Sequence, residues 1–143
     1  MKKRDIVKLK LLLFQSLIVG IGGILGAISR YLLEWLVKMI TGAVLFPFGT
    51  LTVNMLGCLL IGMMFALIDG YSSVGPRVRL FFITGYLGAL TTFSSFGLDT
   101  FKLMISDHFT VAVFNILIQI VVGLFAVWLG YVVIRLIGRI IRV

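Results

Sequence analysis

Charge is what this sequence lacks most. Only 13% of its 143 residues are Asp, Glu, Lys or Arg, against 61% hydrophobic residues and a mean hydropathy of +1.20, whereas a soluble domain carries about a quarter charged residues. Water is therefore not its main solvent. Cysteine and histidine are almost missing as well. The single cysteine, Cys58, excludes an intrachain disulfide and, among apolar neighbours, reads as a small packing residue. The single histidine, His108, falls in a short connection, and none of the five carboxylates lies at the middle of an apolar run. No nucleophile, base and orienting group converge, so the sequence points away from an enzyme. Cys, His and carboxylate spacings that would hold a transition metal are also absent.

What the sequence does have is long uncharged runs. Four stretches carry no charge at all: Leu11 to Ser29, Met39 to Ile68, Leu80 to Leu98 and Phe109 to Ile134. A spanning helix needs roughly 20 mostly apolar residues to cross about 30 Å of hydrocarbon, so each can cross a bilayer. A transmembrane β-barrel would show short segments of alternating polarity, and these runs are long and continuously apolar. The sequence predicts an all-α integral membrane protein with four spans, at approximately 11–34, 45–68, 79–103 and 109–134 of a single domain covering 1–143. The first run is too long for a cleaved signal peptide and is followed at once by Arg30, so it is expected to persist as a span.

The net charge of +8 does not call for nucleic acid, because the basic residues crowd the span ends. Lys2, Lys3, Arg4, Lys8, Lys10, Arg77, Arg79, Arg135, Arg139 and Arg142 all fall on one side of a four-span topology, against Lys38 and Lys102 on the other. By the positive-inside rule the termini are expected in the cytoplasm.

Polar residues inside the runs are few and therefore informative. In the first span Gly22 and Gly26, four apart, expose bare backbone on one face, the small-xxx-small device for close helix approach. Arg30 is expected about one turn inside the end of that helix, where it snorkels to the interface or finds acceptors within the protein. The second span opens near Pro47, which suits a first turn. Its one strongly polar residue, Asn54, must face protein or a water-lined passage. The third span packs Gly85, Gly88 and Gly97 among Thr84, Thr91, Thr92, Ser94 and Ser95. Such residues weaken a helix and compete for its hydrogen bonds, which predicts a broken helix near Gly88 to Thr92 that is buried or lines a cavity. A continuous helix with back-bonded hydroxyls is the alternative. In the fourth span Asn115 and Gln119 share one inward face.

These are neutral donors and acceptors joined by Phe93 and Phe96, three apart on one face. Phenyl edges are electropositive, so ring edges with hydroxyl and amide donors can replace part of an anion's hydration without trapping it on a fixed charge. Ordinary packing is the other reading of the phenylalanine pair.

The ordered set "GGILGAISRY" in the first span, "GTLTVNMLGCLLIG" in the second and "GYLGALTTFSSFG" in the third resembles the CrcB/Fluc family of fluoride channels, over nearly the whole chain. The resemblance implies an antiparallel, dual-topology dimer with two pores and passive fluoride export across the plasma membrane, giving fluoride resistance. Asn54, Phe93 and Phe96 fall on the family's pore asparagine and paired phenylalanines. Ser95 and Asn115 would join the accompanying polar track, and Arg30 matches an arginine near one end of the pore. The resemblance also implies a sodium ion at the dimer interface, held by the main-chain carbonyls of Gly88 and Thr91 from both subunits. Two positions depart from the pattern: Asp99 stands where glutamate is common, and Gln119 where a small hydroxyl residue is expected.

The charge bias of ten against two favours one orientation, so the partner is either a second copy or an oppositely biased related subunit. Beyond these, membrane lipid is the remaining expected contact. Rival functions are a small proton-coupled multidrug-type antiporter, which needs a membrane-embedded carboxylate that Glu34 supplies poorly, and a non-transporting assembly subunit.

Overall fold

A computed structural model describes residues 3–42, 45–70 and 74–141. Lys2 and Arg142, counted above among the basic residues, lie outside them. The described residues are entirely helical apart from short connections: α1 (Lys3–Thr41), α2 (Phe48–Gly70), α3 (Pro76–Arg79), a π-helical segment (Leu80–Leu87), α4 (Gly88–Leu90), α5 (Phe93–Ile105) and α6 (Phe109–Ile141). Among the described residues, four stretches are long and apolar enough to cross a membrane, the third running from Pro76 to Ile105.

The helices outrun the apolar stretches that define them. With 39 residues, α1 is about 58 Å long at 1.5 Å per residue. It continues through Tyr31–Ile40, a run of good helix formers, and ends only at Thr41, followed by Gly42 in the left-handed conformation (φ 58°). Arg30 is therefore three turns inside the helix, not one turn from its end as the sequence suggested, because charge marks a boundary of solvent and not of backbone hydrogen bonding. Pro47 stands just before α2, where a missing N–H costs nothing, and its carbonyl accepts from the N–H of Leu51 at 3.1 Å.

Two glycine-mediated crossings build the bundle. α1 lies on the π-helical segment, and α2 on α6. A Cβ at Gly22 would strike the Phe81 carbonyl oxygen, and one at Gly26 the Tyr86 carbonyl oxygen. In the other pair, Gly62 meets the Val127 carbonyl and Gly130 the Leu59 carbonyl. Lipid offers apolar helices no hydrophobic reason to associate, so close backbone approach and dispersion must hold them. The fully buried apolar residues are accordingly small or medium, Val53, Ala66, Leu90 and Ala112 among them, while large apolar side chains cover the outside.

The ends are tied separately. Arg135 of α6 pairs with Asp69 at the end of α2, and its Nε donates to the Tyr131 hydroxyl at 3.0 Å. At the opposite end, Asp107 takes a left-handed conformation (φ 60°), which reverses the chain between α5 and α6.

Candidate functional site

In the third span the helical ladder stops at Leu90. Thr91 (φ −81°, ψ 154°) and Thr92 (φ −147°, ψ 115°) are extended, and helix resumes at Phe93. Extended backbone among apolar helices needs partners from elsewhere, and one side chain provides them. Asn54 of α2 accepts from the Thr92 N–H through Oδ1 at 2.8 Å, and its Nδ2 donates to the Thr92 carbonyl at 3.2 Å. The same Nδ2 donates to Gln119 Oε1 of α6 at 3.1 Å. Asn54 thus completes Thr92 much as a neighbouring strand would.

The restart is capped locally. Thr92 is the N-cap of α5: its Oγ1 accepts from the Ser95 N–H at 3.1 Å and donates to Ser95 Oγ at 3.0 Å. Such a cap stabilises a helix start by about 1 kcal/mol. Ser95 is therefore committed to the first turn of α5. Phe93 and Phe96 meet edge-on, with ring centroids 5.5 Å apart and planes at 61°. Phe93 is 83% exposed in the single chain, whereas Phe96 is half-buried.

One turn further along, α2 and α6 repeat the pattern. Thr50 donates to Asp99 Oδ2 at 2.7 Å. Asn115, fully buried, donates to Thr100 Oγ1 at 2.8 Å, and Thr100 donates to the Phe96 carbonyl at 2.8 Å. The pairs Thr50/Asn54 and Asn115/Gln119 are each four apart, so α2 and α6 present two polar rungs toward α5. A cavity of about 350 Å³ bordered by Asn54, Thr91, Phe93, Phe96 and Gln119 opens at one rung. Another of about 540 Å³, bordered by Glu34, Lys38, Thr50, Asp99, Lys102 and His108, opens beyond the other.

The structure gathers the candidates selectively. Asn54, Phe93, Phe96, Gly88 and Thr91 border one cavity. Asn115 sits a turn away behind Phe96, joined to Thr100 and not to Ser95. Arg30 borders neither cavity and lies on α1 one turn before Glu34. The sequence marks Gln119 as an inward neutral group and Thr92 as part of the hydroxyl cluster at the predicted break, but assigns neither to the site. Gln119 was visible as Asn115's neighbour on the α6 stripe, and its Nε2 is buried with no partner among the described residues. The role of Thr92 had no sequence signal apart from its place in the hydroxyl cluster.

The carbonyls of Gly88 and Thr91 are the oxygens that the resemblance assigns to a sodium ion. In an unbroken helix they would accept from the N–H groups of Thr92 and Ser95. Those N–H groups are spent on Asn54 Oδ1 and Thr92 Oγ1. Both oxygens thus lose their helical partners beside a cavity, and hard oxygen donors suit a hard cation. The residues fit a sodium ion.

Residues 17–131 match the family described as CrcB-like protein, Camphor Resistance (CrcB). The chain belongs to the CrcB family. CrcB relatives include the fluoride-specific ion channel FluC of Shewanella pealeana, 45% identical over 114 residues that cover 80% of this chain and 90% of that protein. The protein of the same name from Nitratiruptor sp. is 49% identical over 72% of this chain and 78% of its own length. That from Methylobacillus flagellatus is 37% identical over 87% and 97%. The CrcB match contains every candidate site residue and leaves out the basic segments at both ends of the chain.

Proposed function

We propose that this chain is a subunit of a fluoride-selective channel that lets fluoride leave the cytoplasm passively and so confers fluoride resistance. It is a channel protein of the plasma membrane, crossing it several times, and not an enzyme. The FluC name of its relatives favours this reading over an antiporter or an assembly subunit.

The observation that carries it is the Asn54 clamp on Thr92 beside the edge-on Phe93 and Phe96. Fluoride is small and tightly hydrated, so leaving water demands several compact donors at once. Electropositive ring edges and the unpartnered Gln119 Nε2 supply such donors without a formal charge. Neutral donors bind weakly enough to let the ion move on.

The same region supports an antiparallel dimer with two pores. Phe93, Gly88, Ser94 and Gly97 are exposed on the single chain. Carbonyls deprived of helical partners do not survive against lipid, so a second subunit belongs on this face. A sodium ion held there by Gly88 and Thr91 carbonyls would supply positive charge that fixes the broken backbone. The ten-to-two charge bias favours pairing with an oppositely biased relative over a second copy. A tagged-terminus accessibility assay finding equal populations in both orientations rejects that pairing.

Efflux from liposomes holding purified protein tests the function, with chloride as the control. Fluoride is expected to leave far faster than chloride, with Asn54→Ala and Phe93→Ile both slowing it. Equal fluoride and chloride rates defeat the reading.

A further inference from the structure

At the end of the bundle where α1 begins and α6 ends, the surface is basic and apolar together. Lys3, Arg4, Lys8 and Lys10 occupy the first turns of α1, all exposed, within about 10 Å of helix length. Arg77 and Arg79 lie on α3. The Arg77 guanidinium lies 5.4 Å from the centre of the Phe14 ring of α1, about one turn beyond Lys10, so the α3 cations adjoin the basic first turns of α1. Asp5 is the one carboxylate in either segment. Arg135, on the neighbouring α6, is instead committed to Asp69.

Between these cations Ile6, Val7 and Leu9 are 39%, 61% and 47% exposed. A soluble polyanion would gain nothing from them. A phospholipid satisfies both, its phosphate meeting the cations and its acyl chains meeting the apolar side chains. The four α1 cations lie outside residues 17–131, the part matched to the family, so the ion pathway does not require them.

We infer that this patch is a binding surface for anionic phospholipid headgroups, phosphodiesters carrying one negative charge in the leaflet that faces the α1 end. The cations hold the phosphates, and the exposed apolar residues between them keep the lipid in place when detergent competes. The inference does not depend on which ion the channel conducts.

Native mass spectrometry of the full-length protein in detergent, titrated with phosphatidylglycerol or phosphatidylcholine, tests it. Phosphatidylglycerol should be retained roughly tenfold more tightly, a preference that fades as salt rises past 0.5 M, because screening shortens the reach of each charge. The variant Lys3→Gln/Arg4→Gln/Lys8→Gln/Lys10→Gln should lose most of that preference while its fluoride flux in neutral-lipid liposomes stays unchanged. Equal retention of the two lipids by the unaltered protein overturns the inference without needing any variant. So does undiminished phosphatidylglycerol binding by the quadruple variant, or displacement of the lipid by soluble glycerol phosphate at equal concentration.

Discussion

The α2–α6 crossing and the Thr91–Thr92 segment sit in one bundle and solve opposite problems. In the crossing, both partners are unbroken helices, and they gain contact by removing side chains at Gly62 and Gly130. In the extended segment the helix gives up its partners, and the side chains of Asn54 from α2 and of Thr92 itself replace them. The crossing is complete within one chain. The extended segment is complete only on its inner side, because Gly88, Phe93 and Gly97 remain exposed. With the pore placed as proposed, stability and conduction belong to different parts of the molecule, which mutation can separate.

The sharpest way to break the contrast is Gly130→Leu. Its side chain would enter the Leu59 carbonyl and the Met63 backbone, and overpacking of this kind costs about 3 kcal/mol or more when backbone must move. Loss of folded protein in a denaturant titration is expected, with no selective effect on ion preference in whatever remains. Next comes Asn54→Ala, which strands the N–H and carbonyl of Thr92 at about 1–3 kcal/mol each. Since each 1.36 kcal/mol is tenfold in rate, fluoride flux should fall by at least about tenfold while the α2–α6 pair stays folded. Both are readable on one preparation by flux and by thermal melting.

Smaller effects sharpen the picture. Gln119→Leu removes one acceptor from Asn54 and the unpartnered Nε2, leaving the two Asn54–Thr92 bonds intact. About 1 kcal/mol is at stake, so flux should drop roughly fivefold with fluoride still preferred over chloride. Asp69→Asn breaks the Arg135 pair, whose side chains are 48% and 44% exposed. Exposed pairs contribute about 0.2–1 kcal/mol, so melting should shift little and flux not at all. A large flux loss there would mean that the two regions are coupled after all.

Particular residues show how far the sequence could be read. Gly22 and Gly26 announced a close helix contact by spacing alone, and their partners, Phe81 and Tyr86, could come only from coordinates. Asn54 declared itself by being an amide in hydrocarbon. That both ends of its amide would close on the main chain of Thr92 depended on where α2 and α5 meet. Arg30 misled, since a charge tells where solvent is expected, and α1 runs on to Thr41 regardless. Ser95 and Asn115, grouped by likeness to a family track, belong to separate hydrogen-bonded sets.

By itself the sequence determined the solvent, the number of long apolar helices and which polar residues must point inward, because those follow from transfer free energy and helical period, which are local and additive. Only the tertiary structure decided which inward groups meet. Hydrogen bonds reach about 3 Å, and whether an amide on one helix comes within that distance of a backbone group on another depends on crossing angle and on the missing side chains of glycines far away in the chain.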